Sequence, residues 1–420
     1  MKHFYSNLIT LTLSAAGFVL GFSQYSNGYI VAHEGNFGTS NAEISYIDEN
    51  NTVTNNVFAT ANNGEQLGDV LQNVYFNEDK AYLVLNASNK VVVADRSSFV
   101  KTAVITDQMA FPRYTTIANG KLYTTNVANG FATSYVSVHD ATTLEFIKKI
   151  ALDKSAEEIL TINGKVYVQK SYFSAGNSIE VINPETDEIE SSIVLNSGLQ
   201  SMKYKDGFLY AFCSNSSGST IFKIDPETNT VVNSIGNTAV FSAYKFAVDG
   251  DYFFVGKGYD IYRIPNDFSE FSATPLVTVE GSNSWAAIYG LAAMDGKVFQ
   301  GDASGFVGAS VLHVFDHEGT LLNTFNTTIG INNVYKNVFE SLKTSESNVA
   351  KVSLYPNPVS ETLFVKGVEK ATYKIFDLSG KIVKSGVYAN GIQMSGMVKG
   401  MYIIQISENG KTANEKFIVK

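Results

Sequence analysis

The chain of 420 residues has a single cysteine, which excludes an internal disulfide bond. That residue, Cys213, ends the apolar segment 209–213, so we expect a buried structural thiol and not a nucleophile. Charged side chains are also scarce, at 17% of the residues, and the net charge is −9. A chain of this charge without a basic stripe does not collect phosphates, so nucleic acid is excluded as a partner.

Tryptophan is equally scarce, with one copy against 28 phenylalanines and 23 tyrosines. Phenylalanine, tyrosine and the β-branched residues favour strands, where they pack well on a pleated surface. Apolar residues make up 45% of the chain, which is enough for a large core. The composition therefore predicts a folded all-β protein.

A short phrase of one turn followed by an aromatic strand recurs along the chain, as in the Asn-Gly-Lys-Leu-Tyr of residues 119–123. Asn-Gly and Asp-Gly between alternating apolar runs are the strongest local signal for a β-hairpin, because both residues tolerate positive φ. The second turn position of the seven copies falls at Gly28, Asp79, Gly120, Gly164, Gly207, Gly250 and Gly296.

A second phrase, an alternating strand that ends at a polar turn residue, recurs in step with the first. Its copies lie at 44–48, 91–95, 136–140, 179–183, 221–225, 261–265 and 312–316. Two signals that each occur seven times, at a spacing of about 40–50 residues, are typical of four-stranded propeller blades. The sequence predicts a seven-bladed β-propeller over residues 24–340. A β-sandwich with chance spacing is the alternative.

The first blade lacks the strand that precedes the turn in later blades. A surplus strand at 331–339 resembles the segments 73–76 and 244–247, which occupy that place in their own blades. A ring keeps an unpaired edge unless its first and last blades share a sheet, and an open edge invites aggregation. We therefore expect residues 331–339 to close the ring beside 29–34.

The N-terminal segment 1–23 has the pattern of a secretory signal peptide. Lys2 and His3 precede an apolar run over residues 8–22, and Ser23 is a small residue at which cleavage fits. No cysteine follows the apolar run, so we do not expect a lipid-anchored N-terminus.

The composition changes again behind the propeller. Residues 341–350 are polar and predict a linker. Residues 351–420 hold several short strands, and about 70 residues lie within the range that folds alone. We therefore predict a small C-terminal β-sandwich over 351–420.

This C-terminal segment carries four motifs in order: Tyr-Pro-Asn-Pro at 355–358, Phe-Asp-Leu-Ser-Gly at 376–380, Gly-Met-Tyr at 400–402 and Lys-Phe-Ile-Val-Lys at 416–420. Together they resemble the C-terminal sorting domain of type IX secretion substrates. The resemblance implies the type IX secretion machinery as a partner and a secreted or cell-surface location in a Gram-negative bacterium. An ordinary accessory sandwich is the alternative.

Three further motifs lie in the propeller: Glu-Gly-Asn-Phe-Gly at 34–38, Leu-Gly-Asp-Val at 67–70 and Asn-Ala-Ser-Asn-Lys at 86–90. With the blade repeats of 27–339 they resemble the YVTN/YncE-type surface propellers, and in particular the branch that captures cobalamin for a TonB-dependent transporter. The resemblance implies a corrinoid ligand and an outer-membrane transporter of that kind as a partner. Lipid-anchored members carry an N-terminal cysteine, which this chain lacks.

In a propeller, the loops that enter the inner strands and the loops that join the second and third strands gather at one mouth of the channel. Here those loops interleave aromatic rings with Asn, Ser and Gly, a mixture that recognition surfaces favour. Such a surface suits a flat ligand edged with amides, which stacks on rings while Asn and Arg meet its carbonyls. The predicted ligand-binding residues are Asn36, Phe37, Asp69, Arg113, Asn126, Phe131, Tyr172, Trp285 and Phe306. The alternative is that several of these rings only fill the interior.

Signals for catalysis are poor. The histidines behind the N-terminal segment are His33, His139, His313 and His317. The last three are predicted at exposed turns near outer strands, and His33 alone on the binding face could ligate a metal already held in a cofactor, but one imidazole makes no metal site. Glu157 and Glu158 are adjacent, so as strand residues they would point to opposite faces and form no acid–base pair. We predict no catalytic residue, no metal site, no cofactor and no enzymatic activity.

The sequence thus predicts a non-enzymatic surface protein that captures a bulky, partly apolar small molecule, with cobalamin or another corrinoid as the candidate from resemblance. An adhesion or scaffold module that binds glycan or protein stays open as the alternative. A lyase or lactonase would need a His or carboxylate metal cluster at the channel, and the sequence offers none that we can assemble.

Overall fold

The computed structural model describes residues 25–128, 133–171, 176–281, 283–338, 352–368, 371–377, 382–408 and 411–420. The chain divides into two compact units, Met1–Phe339 and Glu340–Lys420. The segments predicted as signal peptide and linker lie outside the described residues, as do Phe131 and Tyr172. No helix in the described ranges is long and apolar enough to cross a membrane.

The first unit begins with three short strands and the one α-helix of the described ranges. Blade one holds β1 (Gly28–His33), β2 (Glu43–Ile47) and β3 (Val53–Thr54), followed by α1 (Val57–Ala61). Blade two holds β4 (Leu71–Asn77), β5 (Lys80–Leu85), β6 (Lys90–Asp95) and β7 (Lys101–Ile105). Blade three holds β8 (Pro112–Ala118), β9 (Lys121–Ala128), β10 (Thr133–Asp140) and β11 (Phe146–Leu152).

The next four blades repeat the pattern. Blade four holds β12 (Ala156–Ile162), β13 (Lys165–Lys170), β14 (Ser178–Asn183) and β15 (Glu188–Val194). Blade five holds β16 (Leu199–Lys205), β17 (Phe208–Asn215), β18 (Gly218–Asp225) and β19 (Thr230–Asn237). Blade six holds β20 (Lys245–Asp249), β21 (Tyr252–Lys257), β22 (Asp260–Pro265) and β23 (Val277–Thr278). Blade seven holds β24 (Gly290–Met294), β25 (Lys297–Asp302), the 3-10 turn Ser304–Phe306, β26 (Ser310–Asp316) and β27 (Leu321–Thr327).

In blades two to seven the repeated turn phrase forms the hairpin between the first and second strands. Asn119 and Gly120 both have positive φ, and so do Asn163 and Gly164. A two-residue turn with positive φ at both positions matches the twist of the flanking strands. The aromatic residue that follows is buried between blades, at Tyr82, Tyr123 and Tyr167. The seven-bladed fold predicted from these phrases is confirmed by seven four-stranded sheets in the first unit.

The last strand of the first unit, β28 (Ile331–Asn337), pairs antiparallel with β1 and becomes the innermost strand of blade one. The ring closure predicted from the surplus strand is therefore confirmed. The apolar core lies between neighbouring blades: one cluster joins Ile44 of blade one to Leu83 of blade two, and another joins Val31 of blade one to Leu312 of blade seven.

A buried asparagine fixes the end of the closing strand. Asn337 Nδ2 donates to the carbonyl oxygens of Tyr25 at 2.7 Å and Arg96 at 3.2 Å, and its Oδ1 accepts from Arg96 Nε at 2.7 Å. This side chain ties the closing strand to the start of the propeller and to blade two.

We expect Asn337→Ala to lower the free energy of unfolding by about 2–3 kcal/mol, because buried polar groups lose their partners. Chemical denaturation followed by circular dichroism measures the change. Asn233→Ala, on the exposed strand β19, is the matched control and should shift the midpoint little. Equal shifts in the two variants would contradict the role given to Asn337.

The second unit is a β-sandwich of two sheets. One sheet has the order β29 (Ser353–Tyr355), β30 (Thr362–Lys366) and β33 (Ile392–Gln393). The other has the order β32 (Ile382–Tyr388), β31 (Ala371–Phe376), β34 (Gly400–Glu408) and β35 (Lys411–Val419). Its own core includes Val359, Leu363, Ile375, Ile404 and Phe417.

Candidate functional site

The channel of the propeller holds a cavity of about 1010 Å³. All seven inner strands line it, with Gln72, Arg113, Glu157, Gln200, Lys245, Leu291 and Asn333 as one residue from each. Binding sites for small molecules typically measure about 300–1,000 Å³, so this cavity is large enough for a bulky ligand.

Three aromatic rings cluster at one mouth of the cavity, and we call Trp285, Tyr289 and Phe306 the aromatic rim. The rings of Trp285 and Phe306 stack at 5.9 Å between centroids with 8° between their planes. Tyr289 meets Phe306 edge to face at 5.0 Å. Trp285 is nevertheless 54% exposed, so much of its surface is available to a ligand. Phe37, from the loop after β1, also lines this mouth.

Local backbone contacts hold the aromatic rim in place. Asn36 Nδ2 donates to the Phe306 carbonyl oxygen at 2.8 Å, which fixes the β25–β26 loop against the β1–β2 loop. Gly330 has φ +75°, and a Cβ there would lie 2.7 Å from Phe306 Cε1. Only glycine leaves room for the ring at this point.

The polar lining arises from bulges in the inner strands. In blade four the pairing of β12 with β13 shifts between Ala156 and Ile159, so that Glu157 and Glu158 both face the cavity. The same shift occurs in blade three between Pro112 and Thr115. A bulge adds one residue to a strand and redirects side chains. Glu157 nevertheless pairs with Arg113 of blade three and Glu158 with Lys203 of blade five, so the two side chains leave opposite faces of the sheet, as predicted, although both line the cavity.

The charged groups of the cavity form partial pairs. Glu158 accepts from Lys203 Nζ at 2.6 Å and also from Ser201 Oγ and the Met202 backbone amide. Glu157 Oε2 accepts from Arg113 Nε at 2.8 Å. Burial raises the pKa of Glu157 although Arg113 opposes that shift.

On the opposite side of the channel, Glu34 accepts a hydrogen bond from Tyr289 Oη at 3.0 Å. Burial raises the pKa of Glu34, with Tyr289, Lys245 and Arg113 opposing the shift. The Lys245 ammonium group lies 5.0 Å from the centre of the Tyr289 ring, and burial lowers the pKa of this lysine. Glu34, Lys245 and Tyr289 were not predicted as site residues.

Of the nine predicted ligand-binding residues, five line the cavity: Asn36, Phe37, Arg113, Trp285 and Phe306. Asp69 does not line it, and instead its Oδ2 accepts from the Gly38 backbone amide at 2.9 Å, which supports the loop that carries Phe37. Phe131 and Tyr172 lie outside the described residues, and their assignment stays a prediction.

Asn126 is fully buried inside blade three. Its Nδ2 donates to the Thr124 carbonyl oxygen at 2.8 Å and to Ser137 Oγ at 3.0 Å, and its Oδ1 accepts from the Ala110 amide at 3.0 Å. Strand β9 continues beyond this residue, so the side chain belongs to the blade and not to a loop. Its prediction as a ligand contact is corrected on this ground.

The histidines are structural in the described part of the chain. His33, predicted on the binding face, is fully buried against Ser45 Oγ at 2.9 Å, and burial lowers its pKa to about 3. His139, predicted at an exposed turn, is buried inside β10. No group of three His, Cys, Asp or Glu residues suited to a metal ion occurs among the described residues.

Cys213 is buried as predicted, and burial raises the pKa of its thiol to about 12. A thiol with so high a pKa holds almost no thiolate at neutral pH, so it is neither a nucleophile nor a ready metal ligand.

Comparison with known proteins identifies both units. Residues 353–420 match the secretion system C-terminal sorting domain. The chain is thus a type IX secretion substrate, a cell-surface or extracellular β-propeller of a Bacteroidetes-type Gram-negative bacterium. Residues 27–111 and 109–342 match a family described as a domain of unknown function, DUF5074, and the chain belongs to that family. No curated protein matches the sequence.

Solved structures share the propeller fold. A quinoprotein alcohol dehydrogenase-like protein from Bacteroides thetaiotaomicron is 16% identical with a TM-score of 0.56, over 74% of this chain and 79% of that one. A functionally unknown protein from Desulfotomaculum acetoxidans is 13% identical with a TM-score of 0.55, over 74% of this chain and 99% of that one. Likeness at this level of identity shows the fold alone.

Proposed function

We propose that the protein is a non-enzymatic binding protein that captures a bulky, partly planar small molecule in the mouth of the propeller channel. The observation that carries this proposal is a cavity of about 1010 Å³ that joins the aromatic rim to a polar floor. We use this name for the charged side chains of the lining, which are Glu34, Arg113, Glu157, Glu158, Lys203 and Lys245. Rings supply contact area at low entropic cost, and the polar groups of the floor orient the bound molecule. The exported location fits capture of a ligand outside the cell.

A corrinoid is the finer candidate, as the sequence resemblance suggests. The flat face of a corrinoid would pack on the aromatic rim, and its amide side chains would meet donors such as Asn36 and Arg113. Hand-over to a TonB-dependent transporter would follow from the same resemblance. Isothermal titration of the purified protein with cyanocobalamin tests this candidate; no heat and no co-elution at micromolar concentrations would remove it.

We expect Trp285→Ala to weaken binding by about 2 kcal/mol or more, as for an anchor residue at the centre of a contact. Titration of cyanocobalamin into the variant measures the loss. Lys148→Glu on the outer strand β11 should change affinity little. Phe241→Ala removes another exposed ring that does not line the cavity, and it should also bind normally.

The alternative of a protein-binding module has one observation in its favour. Phe37 is 77% exposed and Val307 is 85% exposed, and both belong to loops of the same mouth. Exposed apolar side chains beside a cavity suit contact with a protein surface. If Phe241→Ala weakens partner binding as much as Trp285→Ala while no small molecule binds, the adhesion or scaffold function replaces capture.

A further inference from the structure

The floor of the cavity contains six acidic or basic side chains. Some of them have a partner of opposite charge within hydrogen-bond distance, and others do not. Three are carboxylates and three are cations, namely Glu34, Glu157 and Glu158 with Arg113, Lys203 and Lys245. Buried charges need partners, because each loses hydration when it leaves water. The groups left without a partner therefore indicate what a ligand has to supply.

Glu158 and Lys203 satisfy each other. Both oxygens of Glu158 accept hydrogen bonds, from Lys203 Nζ, Ser201 Oγ and the Met202 amide. Both oxygens of Glu158 are thus occupied, and Lys203 Nζ already donates to Glu158 and to Ser201 Oγ.

Arg113 is only half used. Its Nε donates to Glu157 Oε2, and within the described residues neither terminal guanidinium nitrogen has a hydrogen-bond partner. The other oxygen of Glu157 is enclosed, without a partner, and so is not presented to the cavity. The Arg113–Glu157 pair therefore offers a ligand the N–H donors of the two terminal guanidinium nitrogens of Arg113.

Lys245 is the second open donor. It projects from the inner strand of blade six, and no carboxylate oxygen in the described part of the chain lies within ion-pair distance of its Nζ. Its ammonium group lies over the Tyr289 ring, next to the aromatic rim. A cation in this position favours a ligand that has both an anionic group and an aromatic ring.

From these contacts we propose that the captured molecule carries a carboxylate that binds Arg113 and Lys245 while its planar part packs on Trp285. The inference rests on the proposed capture function but not on the corrinoid candidate, because the side chains of cyanocobalamin are amides, and it narrows the ligand class to planar molecules that carry a carboxylate. Arginine forks match carboxylate geometry, and a nearby lysine adds a second charge-assisted hydrogen bond.

Two fluorescent probes separate the carboxylate from the ring: pyrenebutyrate and pyrenebutanol share a planar four-ring system and differ in the anionic group. Fluorescence titration of the purified full-length protein should show pyrenebutyrate binding roughly ten- to a hundredfold more tightly, as for hydrogen bonds to charged groups. Lys245→Met keeps the length of the side chain and should remove most of this preference.

Lys149→Met is the matched control, because Lys149 also lies over a tyrosine ring, at 4.3 Å from Tyr135, but on the outer strand of blade three. It should leave both affinities unchanged. The double variant Arg113→Gln with Glu157→Gln removes the other donor and its partner together, and should lower pyrenebutyrate affinity with little effect on pyrenebutanol.

The outcomes separate the two proposals. If pyrenebutyrate and pyrenebutanol bind with equal affinity, and both lose affinity in Trp285→Ala, the proposed carboxylate site is wrong. The capture function is then still supported. A preference for the acid that survives Lys245→Met also overturns the assignment. Failure of both probes to bind the wild-type protein contradicts the capture function and the inference together.

Discussion

Replacing Ile331–Asn337 with seven Gly and Ser residues should abolish cooperative folding of the propeller. This strand is the innermost strand of blade one, and its pairing with β1 removes the open edge of the ring. Ile331 and Val334 are buried on it, and their burial alone contributes about 3–6 kcal/mol. Domains are stable by about 5–15 kcal/mol in total, so the additional loss of the strand pairing and of Asn337 exceeds what the ring can tolerate.

Thermal melting and limited proteolysis of the purified variant measure this effect. The same replacement in β19, the outermost strand of blade five, is the control, because most of its side chains are exposed and its loss opens no inner contact. We expect that variant to melt at a lower temperature but still cooperatively. A cooperative, wild-type transition in the β28 variant would show that the ring does not depend on its closure.

The fold could be predicted because its signals are local. The turns at Asn119-Gly120 and Asn163-Gly164 need positive φ at both positions, which few residues other than Asn, Asp and Gly accept, so the sequence marks each hairpin directly. Seven copies of the turn phrase, four of them with positive φ at both positions, set the number of blades. The closing strand could be predicted because blade one lacks its first strand and residues 331–339 form a surplus one.

The binding face was predicted less well because bulges are not visible in an alternating pattern. Period-two alternation places Glu157 and Glu158 on opposite faces of β12, where they do pair with different blades, but it does not show that the shift in this strand brings both to the channel. Charged residues in an otherwise apolar inner strand were the available signal. Lys245 and Glu157 are both of this kind.

Strand ends caused the remaining errors. Asn126 was assigned to a loop, but β9 runs to Ala128, which places its amide inside the blade. His33 was assigned to the mouth, but it is the last residue of β1 and bonds Ser45 in the next strand. Polar residues near the end of a strand can bond to neighbouring groups of the blade instead of facing a ligand, as Asn126 and His33 do, and the sequence does not distinguish the two cases.

The aromatic rim shows the opposite case. Trp285, Phe306 and Phe37 come from different loops, and propeller geometry alone predicts that these loops share a mouth. Tyr289 was not predicted as a site residue, although it lies directly before β24 and in the segment that also carries Trp285. The network between Glu34, Tyr289 and Lys245 needs three blades to assemble, so no local pattern indicates it.

Deleting residues 411–420 should stop delivery to the cell surface. Strand β35 pairs with β34 along its whole length and also bonds to the segment between β29 and β30. There the Val359 amide donates to the Ile418 carbonyl oxygen at 2.7 Å, and the Lys420 amide donates to the Val359 carbonyl oxygen at 2.8 Å. Phe417 and Val419 are buried from the same strand. Without β35, strand β34 loses its neighbour and Val359 loses its two backbone hydrogen bonds. A sandwich of about 70 residues is only marginally stable, so we expect it to unfold.

Point variants separate loss of the fold from loss of a recognised surface. Phe417→Ala removes a buried ring and should cost about 3–5 kcal/mol, which unfolds so small a domain and leaves the protein in the periplasm. Ile418→Ala, on the exposed side of the same strand, should leave the sandwich folded. Cell fractionation and surface proteolysis report where each protein goes. If the deletion variant reaches the surface at normal yield, residues 353–420 are not the export signal. If Ile418→Ala stays in the periplasm although its sorting domain is folded, the machinery recognises the exposed face of β35 and not the folded state alone.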